Sequence, residues 1–148
     1  MRSRLLIFGF LLVLVVVNLQ IYHLETRRAT GEVVVLQLAP LDPRSLLQGD
    51  YMRLRYEIAS QITGDGGVVY LTPDERRVAD LVATEDGPGR VPLQYRRVDG
   101  RVKFDIDSYL FQEGRAADYN RARYAEIRVD ETGRPSLLRL LDKQLREI

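Results

Sequence analysis

The chain has 148 residues, of which 45% are hydrophobic and 29% charged, a composition typical of one folded domain and a length too short for two ordinary ones. It contains no cysteine and a single histidine, which excludes disulfides and thiol nucleophiles and argues against a zinc site, so we expect no metal and no cofactor. The net charge is only +1, and a nucleic-acid partner is not expected because such proteins need a concentrated basic surface.

The apolar residues crowd at the start of the chain. The segment from Leu5 to Val17 has no polar side chain, and its extension to Tyr22 gives 18 residues. At the helical rise these span about 27 Å, just enough to cross a bilayer. A buried core helix needs a polar face, and a cleaved signal needs small residues soon after the apolar run. Neither is present, so the sequence predicts an uncleaved transmembrane anchor within residues 1–24 that inserts in the lipid bilayer from Leu5 to Tyr22.

The charges around this segment predict its orientation. Arg2 and Arg4 precede it, whereas Arg27 and Arg28 follow it and are partly offset by Glu25. The positive-inside rule therefore favours a cytoplasmic N-terminus and an extracytoplasmic C-terminal domain. The part after Tyr22 holds 20 basic and 21 acidic residues, a net charge of about minus one.

Residues 25–31 are predicted to be a linker, and residues 32–148 a β domain. The domain opens with a β-branched run at residues 32–38, which is typical of a buried strand. Residues 63–67 contain three glycines and an aspartate, so we expect a turn there. A strand at residues 67–72 is then expected to run antiparallel to the strand before the turn. Asp99 and Gly100 give the strongest hairpin signal in the chain.

Further strands are predicted at residues 78–84, 91–98, 101–106, 123–130 and 135–142, with one or two helical turns at 115–121 and a tail at 143–148. Within them Ala125 or Tyr124, Ile127 and Val129 are expected to point inward. Short strands separated by turns indicate an all-β fold, either a β-sandwich or a partly open β-barrel with one short helix.

The stretch from Gly49 to Tyr56 combines turn chemistry with strand alternation. Alternate residues, Met52, Leu54, Tyr56 and Ile58, predict a buried face, and the residues between them, Tyr51, Arg53, Arg55 and Glu57, predict a wet one. Asp50 shares the parity of the buried row. A carboxylate there is costly to bury without hydrogen bonds, and the backbone N–H groups of residues 45–49 are the nearest donors. Asp50 is therefore interpreted as a residue that locks the loop, with a catalytic or ligand-binding carboxylate as the alternative.

This stretch resembles the signature of the GDYxxLxY family, a group of bacterial membrane-anchored proteins to which no activity is assigned. All five defined positions match: Gly49, Asp50, Tyr51, Leu54 and Tyr56. Asp42, Pro43 and Arg44 upstream, and Glu113 near the far end, also look like features of the family. The resemblance implies a location at the bacterial inner membrane, with a periplasmic domain and a multi-spanning membrane protein as possible partner.

Two functions compete for these residues. Tyr51, Arg53 and Arg55 combine the residue types found at interface hot spots, which favours an accessory or interaction module of a membrane assembly. The alternative is a carboxylate-dependent hydrolase or small-ligand binder centred on Asp50, with Glu113 as a second carboxylate. Glu113 is more simply explained as the partner of a nearby arginine or as a helix cap.

The sequence also shares features with a serine–lysine peptidase. The membrane anchor, the β domain and the Gly49-Asp50 pair look like the start of a type I signal peptidase. The serine of that family would stand at position 41, which here is Leu41, and Ser45 lies too late in the chain. Without a nucleophile at that position the mechanism fails, so the chain is not expected to be such an enzyme.

Overall fold

The computed structural model describes residues 9–20, 31–40, 51–83, 87–111 and 116–148. The chain divides into two units, Met1–Gly31 and Glu32–Ile148. In the first unit, residues 9–20 are helical and their large apolar side chains are exposed, Phe10 to 67%. Among the described residues, no helix combines the length and the apolar character needed to cross a membrane. Residues 5–8 and 21–22 of the predicted anchor, and 25–30 of the predicted linker, lie outside the described residues.

The second unit is mostly β, as predicted. Its described part contains a 3-10 helix at Glu57–Gln61, a short α-helix at Ala116–Tyr119 and the following strands: β1 (Glu32–Gln37), β2 (Tyr51–Arg53), β3 (Gly66–Pro73), β4 (Ala79–Val82), β5 (Val91–Val98), β6 (Arg101–Lys103), β7 (Ser108–Leu110), β8 (Tyr124–Val129) and β9 (Pro135–Leu141).

These strands form three antiparallel sheets, ordered β1-β8-β9, β2-β7 and β4-β3-β5-β6. Isolated bridges link them. Val35 pairs with Val78 beside β4, and Leu38 pairs with Tyr56 just after β2. The backbone N–H of Ala39 also donates to the Arg55 carbonyl at 2.8 Å. The end of β1 is therefore tied to the signature stretch by backbone hydrogen bonds.

The core is built where the buried faces of the sheets meet. In β8, buried and half-buried residues alternate strictly, and Ala125, Ile127 and Val129 are the buried ones, as predicted. The largest fully buried side chains are Phe104, Leu36, Met52, Leu71, Leu93, Ile127 and Leu140. Because they come from β1, β2, β3, β5, β8, β9 and the residue after β6, one core holds the three sheets together.

The hairpin predicted at Asp99 and Gly100 is confirmed. Both residues have positive φ angles, 51° and 72°, and β5 and β6 pair directly on either side of them. Two consecutive left-handed residues are the mark of a tight turn whose twist matches that of the strands.

The strand predicted at residues 67–72 is confirmed as β3, but its predicted antiparallel pairing with the signature strand is wrong. β3 pairs with β4 and β5, whereas β2 pairs with β7. The signature stretch leaves the extended conformation at Glu57 and forms a 3-10 helix, which buries Ile58. The tight helical turn breaks the ladder, so no strand reaches the glycine-rich turn from that side.

Three turns of the unit share one construction that the sequence reading did not identify. In each turn an aspartate Oδ1 accepts backbone N–H groups two and four residues ahead, and its own N–H donates to the carbonyl four residues ahead. The aspartates are Asp74, Asp130 and Asp142. The third turn folds the predicted tail back, so that Glu147 pairs with Leu141 and the Ile148 N–H donates to the Leu140 carbonyl.

Candidate functional site

The signature stretch divides into a buried and an exposed face, as the alternation predicted. Met52, Leu54, Tyr56 and Ile58 are each at most 3% exposed, whereas Arg53, Arg55 and Glu57 are exposed and Tyr51 is half-buried. The strand itself is shorter than predicted, since β2 ends at Arg53. The other candidate residues, Asp42, Pro43, Arg44, Gly49, Asp50 and Glu113, lie outside the described residues.

Tyr56 is a structural residue. Its hydroxyl donates to the Ile106 carbonyl at 2.8 Å, and its ring meets the Phe104 ring edge-on, with centroids 5.6 Å apart. Burial raises the pKa of the Tyr56 phenol far above its usual value, and the charge of Asp107 adds to this effect. The hydroxyl therefore stays protonated and remains a hydrogen-bond donor.

Leu54 ties the same two segments together. Its side chain is buried, and its backbone N–H donates to the Asp107 carbonyl at 2.8 Å. This bond continues the short ladder between β2 and β7, in which Tyr51 faces Leu110 and Arg53 faces Ser108. The leucine and the tyrosine of the signature thus fix the stretch to the segment after β6.

Asp107 is half-buried next to this contact. Burial raises the pKa of its carboxyl above the usual value, and the charge of Asp105 acts in the same direction. The Phe104 backbone N–H and the charges of Lys103 and Arg96 lower the pKa and offset part of the rise. The net effect is that the folded protein holds a proton on Asp107 more readily than the unfolded chain does.

Replacing Asp107 with asparagine is expected to remove a gain in stability that the wild type has on acidification, because the raised pKa of the Asp107 carboxyl favours the folded state once it is protonated. A carboxyl whose folded pKa is raised penalises the fold when charged, and the penalty disappears as the pH falls through the folded pKa towards the unfolded value of about 3.9. The variant is therefore expected to be at least as stable as the wild type near neutral pH, with an advantage that shrinks on acidification. Thermal unfolding followed by circular dichroism over this pH range measures the difference.

The matched control is Asp99→Asn, because Asp99 lies in the exposed hairpin turn. A change in the pH dependence that appears in Asp107→Asn and not in Asp99→Asn belongs to the position of Asp107 and not to the loss of any carboxylate. A constant difference between Asp107→Asn and wild type at all pH values would contradict the assignment.

The exposed face of the signature stretch lines an open groove of about 770 Å³. One part of the lining is Tyr51, Leu54 and the two arginines of the stretch, Arg53 and Arg55. The rest comes from the β5–β6 hairpin and the residues that follow it: Arg96, Val98, Asp99, Arg101, Val102, Lys103, Asp105, Asp107 and Ser108. In the groove, the face of the signature stretch that the sequence predicts to be exposed to solvent therefore lies next to a second surface, which is basic.

The two arginines of β5 have different roles. Arg96 faces the groove, where its Nε donates to Asp105 Oδ1 at 2.8 Å. Arg97 donates to the carbonyls of Ile62, Gly64 and Gly100. Its guanidinium is thereby used to hold the glycine-rich turn against the hairpin.

A second cavity of about 510 Å³ lies at the end of β1. Its lining includes Pro40 and Met52, which flank residues 41–50 in the sequence, together with Tyr119, Arg123 and Lys143. No carboxylate is among its lining residues within the described part of the chain. In the described ranges there is also no cluster of three or more potential metal-ligating His, Asp or Glu side chains.

Most of the chain matches one known protein family. Residues 13–140 match the family model described as GDYXXLXY protein. The chain belongs to the GDYXXLXY family. No curated protein and no solved structure matches it.

The GDYXXLXY signature accounts for only part of the groove. Sequence reasoning found Tyr51, Arg53 and Arg55 but missed Arg96, Arg101 and Lys103. A signal for them was present, because the confirmed hairpin puts Arg96 opposite Lys103 and places Arg101 two residues from Lys103 on the same face. What the sequence did not show is that this face meets the signature stretch.

Proposed function

We propose that the chain is a single-pass membrane-anchored accessory module that docks on a partner in a membrane protein assembly. The anchor is the segment from Leu5 to Tyr22, and the domain of residues 32–148 lies on the periplasmic side of the bacterial inner membrane. The exposed apolar side chains of residues 9–20 support the anchor. Full burial of one such side chain is worth about 1.5–3 kcal/mol, so this surface favours a lipid environment over water.

The observation that carries the docking role is the exposure of the signature stretch towards the groove. Tyr51, Arg53 and Arg55 all line it, next to the cations of the hairpin. Tyrosine and arginine are enriched among residues that dominate binding energy at interfaces. If these three side chains had only a structural role, they would not need to line the same open groove. A docking role needs such a shared surface.

Site-specific photo-crosslinking in membranes tests this proposal. A photoreactive amino acid replaces Tyr51, and in a control it replaces Arg76, which is exposed in the turn after β3. We expect a discrete adduct from position 51 alone, whose partner mass spectrometry identifies as a membrane protein. Equal adducts from both positions, or none from a folded and abundant protein, contradict the docking role.

A small-ligand or hydrolytic role centred on Asp50 is the second candidate. It is favoured by the 510 Å³ cavity, whose lining includes residues on both sides of the 41–50 segment. The lack of an adduct from position 51 would shift the assignment to this candidate.

For the architecture, we propose a partly open barrel in preference to a sandwich. The isolated bridges Val35–Val78 and Leu38–Tyr56 support this arrangement, since they continue the sheet of β1 towards both other sheets. In a sandwich, the two layers contact each other through side chains and have no such backbone bridges.

A further inference from the structure

The groove beside the signature stretch, on which the proposed docking role rests, is lined by more cations than carboxylates. Its cations are Arg53, Arg55, Arg96, Arg101 and Lys103, and its carboxylates are Asp99, Asp105 and Asp107. Among the residues that line it, Arg96 forms an ion pair with Asp105, and the charge of Lys103 acts on Asp107. Arg53, Arg55 and Arg101 form no ion pair within the described part of the chain, and the part of the sequence after Tyr22 has a slight negative charge.

The hairpin cations have a regular spacing. Arg101 and Lys103 lie two residues apart in β6 and project from the same face, and Arg96 is the cross-strand neighbour of Lys103. Side chains two apart in a strand are separated by about 6.6 Å. An extended chain with carboxylates at alternate positions has the same spacing and can place one carboxylate at each cation.

The groove also carries features that a phosphate polymer does not match. The three carboxylates interrupt the basic surface and repel a continuous polyanion. Apolar surface is present as well, from Tyr51 and Val98 in the lining and from Leu110, which is 79% exposed and pairs with Tyr51. A peptide in which acidic and apolar side chains alternate is complementary to both kinds of surface.

From this charge and spacing we propose that the groove binds an extended acidic segment of the partner protein, with carboxylates at alternate positions and apolar residues between them. Carboxylates at alternate positions share one face of the segment and meet Arg101 and Lys103, whose spacing they match. Arg53 and Arg55 add to the positive potential that attracts the segment. Arginine binds a carboxylate through two parallel N–H donors, which fixes the orientation of the carboxylate group. Because the cations are largely exposed, binding is sensitive to salt.

The test uses the full chain in a neutral detergent and a fluorescent peptide of alternating glutamate and valine. A peptide of alternating glutamine and valine is the uncharged control. Fluorescence anisotropy is expected to show binding of the acidic peptide at low salt, with a loss of affinity at about 0.5 M NaCl. The double variant Arg101→Glu with Lys103→Glu is expected to weaken binding about tenfold or more, since attraction becomes repulsion at two positions.

The matched control is Arg76→Glu with Arg77→Glu, a reversal of two exposed charges outside the groove. It is expected to change the affinity less than twofold. Equal weakening by both double variants overturns the proposal, because the attraction is then a property of overall charge. Equal binding of the glutamine peptide overturns it as well.

Two further outcomes separate this inference from the docking role. An adduct from position 51 in membranes, with no affinity for the acidic peptide, leaves the docking role standing and overturns the acidic segment. Binding to vesicles that contain phosphatidylglycerol, weakened by Arg101→Glu with Lys103→Glu in the absence of peptide binding, overturns it in favour of a lipid headgroup.

Discussion

Replacing Phe104 with alanine is expected to lower the free energy of unfolding by about 3–5 kcal/mol, the range for a phenylalanine truncated in a packed core. Phe104 is 1% exposed and belongs to the core that joins the three sheets. Its ring also contacts the Tyr56 ring edge-on, so the truncation removes a neighbour of the signature tyrosine. Thermal unfolding of the full chain, followed by circular dichroism, measures the loss.

Phe111→Ala is the matched control for this substitution. Phe111 is only half-buried and contacts the Tyr119 ring with centroids 5.2 Å apart. Its truncation removes the same atoms from a more open site, where less of a cavity remains, and we expect a smaller loss. Equal losses in the two variants would show that Phe104 has no special place in the core.

The second large effect is expected from Tyr56→Phe, which keeps the ring and removes one oxygen. The Ile106 carbonyl then loses the donor that lies 2.8 Å away in a buried position. A buried acceptor without a partner costs about 1–3 kcal/mol, and the stability loss should fall in this range. The same thermal unfolding experiment measures it.

Tyr124→Phe is the control, because Tyr124 is half-buried in β8. Its loss is expected to stay within about 0.5 kcal/mol, as for most substitutions away from the core. If Tyr56→Phe were as harmless as this control, the hydroxyl would have no structural role, and the signature tyrosine would need a functional explanation.

Local patterns in the sequence predicted the features that depend on neighbouring residues. Alternation assigned Met52, Leu54 and Tyr56 to the buried face, and the Asp99 and Gly100 pair located the hairpin. Both signals rest on short-range geometry, namely the two-residue period of a strand and the left-handed backbone of a tight turn. Such geometry is the same whichever partner the strand finds.

The pairing of distant segments could not be predicted in this way. The Tyr56 hydroxyl bonds a carbonyl 50 residues away, and neither residue carries a sign of its partner. The same holds for the groove, where the signature stretch meets the β5–β6 hairpin. Packing of the buried faces decides these contacts, and many chain arrangements satisfy the same alternation.

The structure gives the two halves of the signature different tasks. Leu54 and Tyr56 fix the stretch to the segment after β6 through a backbone bond and a hydroxyl bond. Tyr51, together with the non-signature residues Arg53 and Arg55, faces the groove. The signature is therefore interpreted as a structural lock that presents the proposed docking surface.

The most direct test of these two roles is photo-crosslinking from position 51 in membranes. The yield of the adduct is compared between wild type and the double variant Arg53→Glu with Arg55→Glu. Both arginines are exposed, so the variant is expected to unfold at the wild-type temperature. We expect the adduct to be lost while the thermal stability is kept. An undiminished adduct in the folded variant would contradict it.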